Sequence, residues 1–144
     1  MDSINKINFK LKEVRENEIL EIDGISFSNI AYTLVFVDEV DLFTIFYFQD
    51  SFLVFKELKK SISQSGNYLL FTGISGIADD AGWDYIEVIH DKNLITWNIQ
   101  RNYTLLTFRF EKYNYIKAVI EIEKVIENLN AKLSLEPLYV IYPE

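Results

Sequence analysis

The chain has 144 residues, 49% of them hydrophobic and 15% aromatic, with no cysteine and a formal net charge of −8. That apolar share predicts one folded domain over 1–144 rather than a disordered chain, and the absence of cysteine excludes disulfides and thiolate metal sites. The acidity argues against a nucleic-acid binder, because phosphate contacts need clustered Lys and Arg; the densest basic group, Lys56, Lys59 and Lys60, reads as the wet face of a helix.

Ile7 to Val14 alternates apolar and polar residues, as a half-buried strand does. A second short strand is predicted over 18–22, a turn at Asp23-Gly24, and a return at Ile25-Ser26-Phe27. Ala31 to Val37 is rich in Thr, Val, Tyr and Phe and reads as a buried strand. After the acidic turn Asp38-Glu39-Val40-Asp41, the β formers of Leu42–Phe48 predict a hairpin from 31–37 to 42–48. A single helix over 41–58 competes with it, since Leu42, Ile45, Phe46, Phe52, Phe55 and Leu58 can also share one face.

Asp50 or Ser51 is the predicted N-cap of a helix over about 51–63, with Gly66 as its stop. A short strand follows at 68–72. The segment 73–83 reads as a loop holding three of the five glycines. Strands are predicted at 84–90, 94–98 and 104–111, the first two joined by Asp91-Lys92-Asn93. Ile116, Val119, Ile122, Val125, Ile126 and Leu129 recur at helical spacing and predict a helix over 113–129. An edge strand is expected at 138–142. The fold class is therefore α+β, mainly antiparallel sheet packed by two helices.

The opening residues carry no basic stretch followed by an apolar run, so no signal peptide is expected. No apolar stretch is long enough to span a bilayer. A cytoplasmic protein without membrane contact is the expectation.

Each catalytic pattern fails on spacing or context. Thr72-Gly73-Ile74-Ser75-Gly76 follows a strand, but a phosphate loop needs a helix directly after its glycines, and here Asp79 and Asp80 follow instead. Those two with Asp84 lack the alternating ligand steps of a calcium loop. His90, the lone histidine, builds no multi-histidine metal site, and Ser75 lacks a nucleophile-elbow motif. No catalytic residue, metal or cofactor is expected. Trp83, among Gly82, Asp80 and Asp84, reads either as an interface anchor or as a core plug; Trp97, alternating with Ile95 and Ile99, reads as core.

The run Tyr68–Trp83, with Ile86-Glu87-Val88 and Ile95-Thr96-Trp97 after it, resembles a group of small bacterial proteins. Their central strand enters a Thr-Cys-Gly-Cys-Gly-like loop, then a Gly-Cys-Ala-Gly-like turn and a strand pair ending in Trp. Gly73, Ser75 and Asp80 stand at the cysteine positions here, so any thiol role is lost. In size, acidity and lack of catalytic motifs the chain also resembles the immunity proteins of bacterial toxin–immunity systems of the contact-dependent inhibition type. That resemblance implies tight binding to a cognate toxin domain, often a nuclease with a cationic surface. The contact residues expected on this reading are Asp79, Asp80, Trp83 and Asp84, with Asp38, Glu39 and Asp41 as a second patch. Two rival readings remain: a small-molecule-binding or enzymatic domain with an aromatic-lined pocket under the C-terminal helix, and a homodimer formed through surplus aromatic surface.

Overall fold

Alternation at the start of the chain produces the strand it predicts, β1 (Ile7–Val14). A computed structural model describes residues 3–143. The chain next folds into a small hairpin of β2 (Leu20–Ile22) and β3 (Ile25–Phe27). Its turn residues, Asp23 and Gly24, have φ of 50° and 78°, the positive values a type I′ turn demands. β4 (Ile30–Val37) then pairs antiparallel with β1 along its whole length, from Ile7 opposite Val37 to Val14 opposite Ile30.

The segment after β4 departs from the predicted hairpin. Asp38 and Glu39, at φ 51° and 69°, turn the chain into β5 (Val40–Asp41), which pairs only with Phe36 and Val37. Asp41 ends the ladder there. Its carboxylate accepts the N–H of Phe43 at 2.9 Å and its carbonyl accepts the Thr44 hydroxyl at 2.7 Å. These bonds wind Leu42–Thr44 into a 3-10 turn, and Phe46–Phe48 forms a second. Leu42 and Phe48 are thereby buried together while Phe46 faces solvent.

The competing helix over 41–58 does not form either. Ser51 to Val54 are all buried, a run that suits a strand covered on both faces. β6 (Ser51–Leu53) accordingly sends Phe52 into a smaller apolar cluster with Val14, Ile30 and Ile74, and Leu53 into the main core. Helix α1 is left with Phe55–Ser61, shorter than the predicted 51–63, and its N-cap is Val54 with no side-chain bond. Asp50, at φ 58°, belongs to the turn into β6. The strand predicted at 68–72 is split into β7 (Gly66–Tyr68) and β8 (Phe71–Gly73), with buried Leu69 and Leu70 between them. β8 pairs with β6.

β9 (Ile86–Asp91), β10 (Leu94–Arg101) and β11 (Thr104–Glu111) form an antiparallel meander, and the sheet order is β11-β10-β9-β7. Helix α2 (Lys112–Glu127) follows and lies against β1. Of the predicted apolar face, Val119 and Ile122 are buried while Val125 is exposed; Tyr115 and Ala118 complete the buried side instead. β12 (Ser134–Leu135) joins β4 in parallel. The edge strand expected at 138–142 is reduced to one bridge between Ile77 and Ile141. That bridge consists of the Ile141 N–H donating to the Gly76 carbonyl at 2.7 Å and the Ala78 N–H donating to the Ile141 carbonyl at 3.1 Å. The architecture is α+β, mainly antiparallel sheet with two helices. Among the described residues, no helix is long and apolar enough to cross a membrane.

Candidate functional site

Trp83 is the core plug of the two readings, and its role as an exposed anchor is corrected. Only 2% of its surface is exposed. The indole N–H donates to the Ser51 hydroxyl at 2.7 Å, and the ring stacks on Phe71 with centroids 5.0 Å apart. The guanidinium of Arg101 lies 3.8 Å from the ring centroid. Arg101 also donates to the carbonyls of Tyr47 at 3.1 Å, Ala81 at 2.9 Å and Gly82 at 2.8 Å. Burial lowers its pKa from the usual arginine value. This clamp was readable in principle, because Ile95, Trp97, Ile99 and Arg101 share the inward parity of β10.

The acidic residues divide by what they hold. Asp38 accepts the Lys6 N–H at 2.8 Å and the Asn5 amide at 2.7 Å, tying the start of β1 to the β4–β5 turn. Asp41 stops the β5 ladder. Asp80 accepts the Ser75 hydroxyl at 2.7 Å, and that hydroxyl accepts the Ile77 N–H at 3.2 Å, which closes the loop on itself. Asp84 bonds the N–H of its neighbour Tyr85. Glu39, Asp79 and Asp84 are exposed.

Two of the seven predicted contact residues come together on one surface. A cleft of about 230 Å³ is lined by Asp23, Gln49, Asp50, Ser75 and Asp80. A second, of about 350 Å³, shares Asp23, Gln49 and Asp50 with it and adds Glu21, Asp41 and Tyr32. The two clefts adjoin along this shared wall, with Asp80 lining the first and Asp41 the second. Among the described residues, five carboxylates line the two clefts and no Lys, Arg or His does. Asp38, Glu39, Asp79, Trp83 and Asp84 do not line them. Burial, and then the charge of Asp41, raises the pKa of Tyr32 in this wall. Sequence reasoning missed Glu21, Asp23 and Asp50. The signal for Asp23 and Asp50 was turn chemistry, since both occupy positive φ, where Asp is favoured over most residues; Glu21, inside β2, carried none.

The two clefts offer negative potential and little else. Among the described residues, no group of three or more His, Asp or Glu is placed to hold a metal ion. His90 is held elsewhere. Its Nε2 lies 2.7 Å from the Ser61 carbonyl, so that nitrogen carries the proton in this contact, and no Ser75–His90 pair forms. The interface under α2, where an aromatic-lined pocket was one reading, is occupied by rings in mutual contact. Trp97 meets Tyr115 and Phe110 edge-on at 5.9 Å and 5.1 Å. Compared with known proteins, the chain matches no family model, no curated sequence and no solved structure.

Proposed function

We propose that this chain is an immunity-type protein that binds and neutralises a cognate bacterial toxin domain in the cytoplasm. It acts by stoichiometric binding rather than by catalysis, and it presents its acid-lined clefts to a cationic surface such as a nuclease active site. The observation that supports this reading is the run of Glu21, Asp23, Asp41, Asp50 and Asp80 along two adjoining clefts that no Lys, Arg or His lines among the described residues. Walls of one sign focus the field and steer an oppositely charged partner, raising the association rate in a salt-dependent way.

The test is the association rate with the toxin domain encoded beside this chain's own gene, measured by stopped flow at low and high salt. Double reversal, Glu21→Lys with Asp80→Lys, should slow low-salt association about tenfold or more and flatten the salt dependence. Reversal of the exposed Lys12 and Lys124 to Glu should not slow it. No complex, or an unchanged rate in the double variant, rejects the reading.

A further inference from the structure

The ladder between β12 and β4 stops at a proline. Glu136 donates its N–H to the Ala31 carbonyl at 2.8 Å, but Pro137 has no N–H to give to the next rung. The chain is held again at Ile141, by its bonds to Gly76 and Ala78. Between these two anchors, residues 137–140 pass the start of α1 and border a cleft of about 240 Å³ with it. Val54, Phe55, Leu135, Pro137, Leu138 and Val140 give the cleft apolar walls, and two charged side chains, Glu136 and Lys56, complete its lining.

Those two charges do not neutralise each other. Among the described residues, no Lys, Arg or His lies within ion-pair distance of Glu136. The Lys56 ammonium sits instead over the Tyr142 ring, 5.6 Å from its centroid. The Glu136 side chain is partly buried, and the bond it accepts from the Leu138 N–H is long, at 3.4 Å. Burial raises its pKa, and the Leu138 N–H pulls the other way. A carboxylate drawn partly out of water without a cation is short of donors. Mostly apolar walls with a few polar groups to fix orientation are the make-up of a small-ligand site.

We propose that this cleft binds a free aliphatic primary amine in its ammonium form. The ammonium donates to the Glu136 carboxylate, and the alkyl chain lies along Val54, Leu135 and Val140. Charge selects this class: an anion would be repelled by Glu136, and a neutral ligand would leave the carboxylate without a counter-charge. Size selects it too, because the volume falls below the roughly 300 Å³ at which pockets for drug-sized ligands begin. The cleft shares no lining residue with the two acidic clefts, so it does not depend on the toxin reading.

Titration with n-butylammonium, followed through the amide NMR shifts of Leu135, Leu138 and Val140, tests the proposal. Saturable shifts are expected at about millimolar ligand, as suits so few non-hydrogen atoms. n-Butanol, of equal length and without charge, should bind about tenfold more weakly or worse. Glu136→Gln keeps the shape and removes the charge. It should bring n-butylammonium down to the level of n-butanol and leave n-butanol unchanged. Lys56→Met removes the cation at the rim and should tighten n-butylammonium binding. Lysine blocked at both ends as Nα-acetyl-lysine amide should bind less well than n-butylammonium, since its two amides exceed the cleft.

The absence of saturable shifts overturns the proposal, as does n-butanol binding equally well or n-butylammonium binding that Glu136→Gln leaves intact. Equal binding of the blocked lysine overturns the free amine in favour of a lysine side chain from a partner protein. Should Glu136→Gln misfold, an unchanged affinity in Lys56→Met overturns the proposal as well.

Discussion

Thr72 buries a hydroxyl that finds no hydrogen-bond partner among the described residues. Its neighbours in β8 explain the position: Phe71 turns into the main core, so Thr72 faces the opposite side with Phe52, its cross-strand partner in β6. An unpaired buried polar group costs about 1–3 kcal/mol. Thr72→Val keeps the shape and removes the hydroxyl, so it should raise stability by about 1 kcal/mol, read as a higher urea midpoint at unchanged slope. Glu57 is the contrasting case. It too is buried, but its carboxylate accepts the Leu69 N–H at 3.1 Å and lies 3.2 Å from the Lys60 ammonium. There the polar group holds the Leu69-Leu70 crossing in place, and its burial is compensated.

At the scale of elements, legibility followed the reach of the forces. β1, β11 and α2 are legible because a period of two or of 3.6 runs through each for eight residues or more. The stretch from Leu42 to Leu53 is not, although it is full of strand formers. Aromatic residues there serve burial from either conformation, and the decision falls to one side chain, Asp41, which caps a turn that propensity does not register. The acidic clefts were only half legible for the same reason. Asp80 and Asp41 stand in visible acidic clusters, whereas Glu21, Asp23 and Asp50 become neighbours only through the β2–β3 hairpin and the turn into β6. Asp38 reads as surface charge yet fastens β1 to the β4–β5 turn. Asp38→Gly accepts the positive φ and deletes both bonds. It should cost about 1 kcal/mol and speed amide exchange at Lys6, as measured by NMR.

The whole molecule is organised around a main aromatic core, in which Trp97, Phe110 and Tyr115 interlock, and a smaller cluster around Phe52. Burial holds the Tyr115 hydroxyl far above the ordinary tyrosine range, even though contacts with Ser61 and Trp97 pull it the other way. Tyr32 is raised in the same direction. Below about pH 10, folded and unfolded chains both hold these protons and the two groups add no pH dependence. Above it the unfolded chain loses them first and binds fewer protons, so stability must fall as pH rises. Tyr115→Phe should be less stable at neutral pH, because it loses the 2.6 Å contact with Ser61 and the 3.1 Å bond from Trp97. It should also show a shallower alkaline decline, as urea midpoints taken at several pH values would reveal.

The Arg101 clamp has a thermodynamic meaning for the acidic wall beside it. By bonding the Ala81 and Gly82 carbonyls from a neighbouring sheet, Arg101 fixes the backbone that carries Asp80 before anything docks. A floppy acidic loop would surrender conformational entropy on meeting a partner. Here that entropy is surrendered during folding, so the wall would meet the proposed partner already in its final shape.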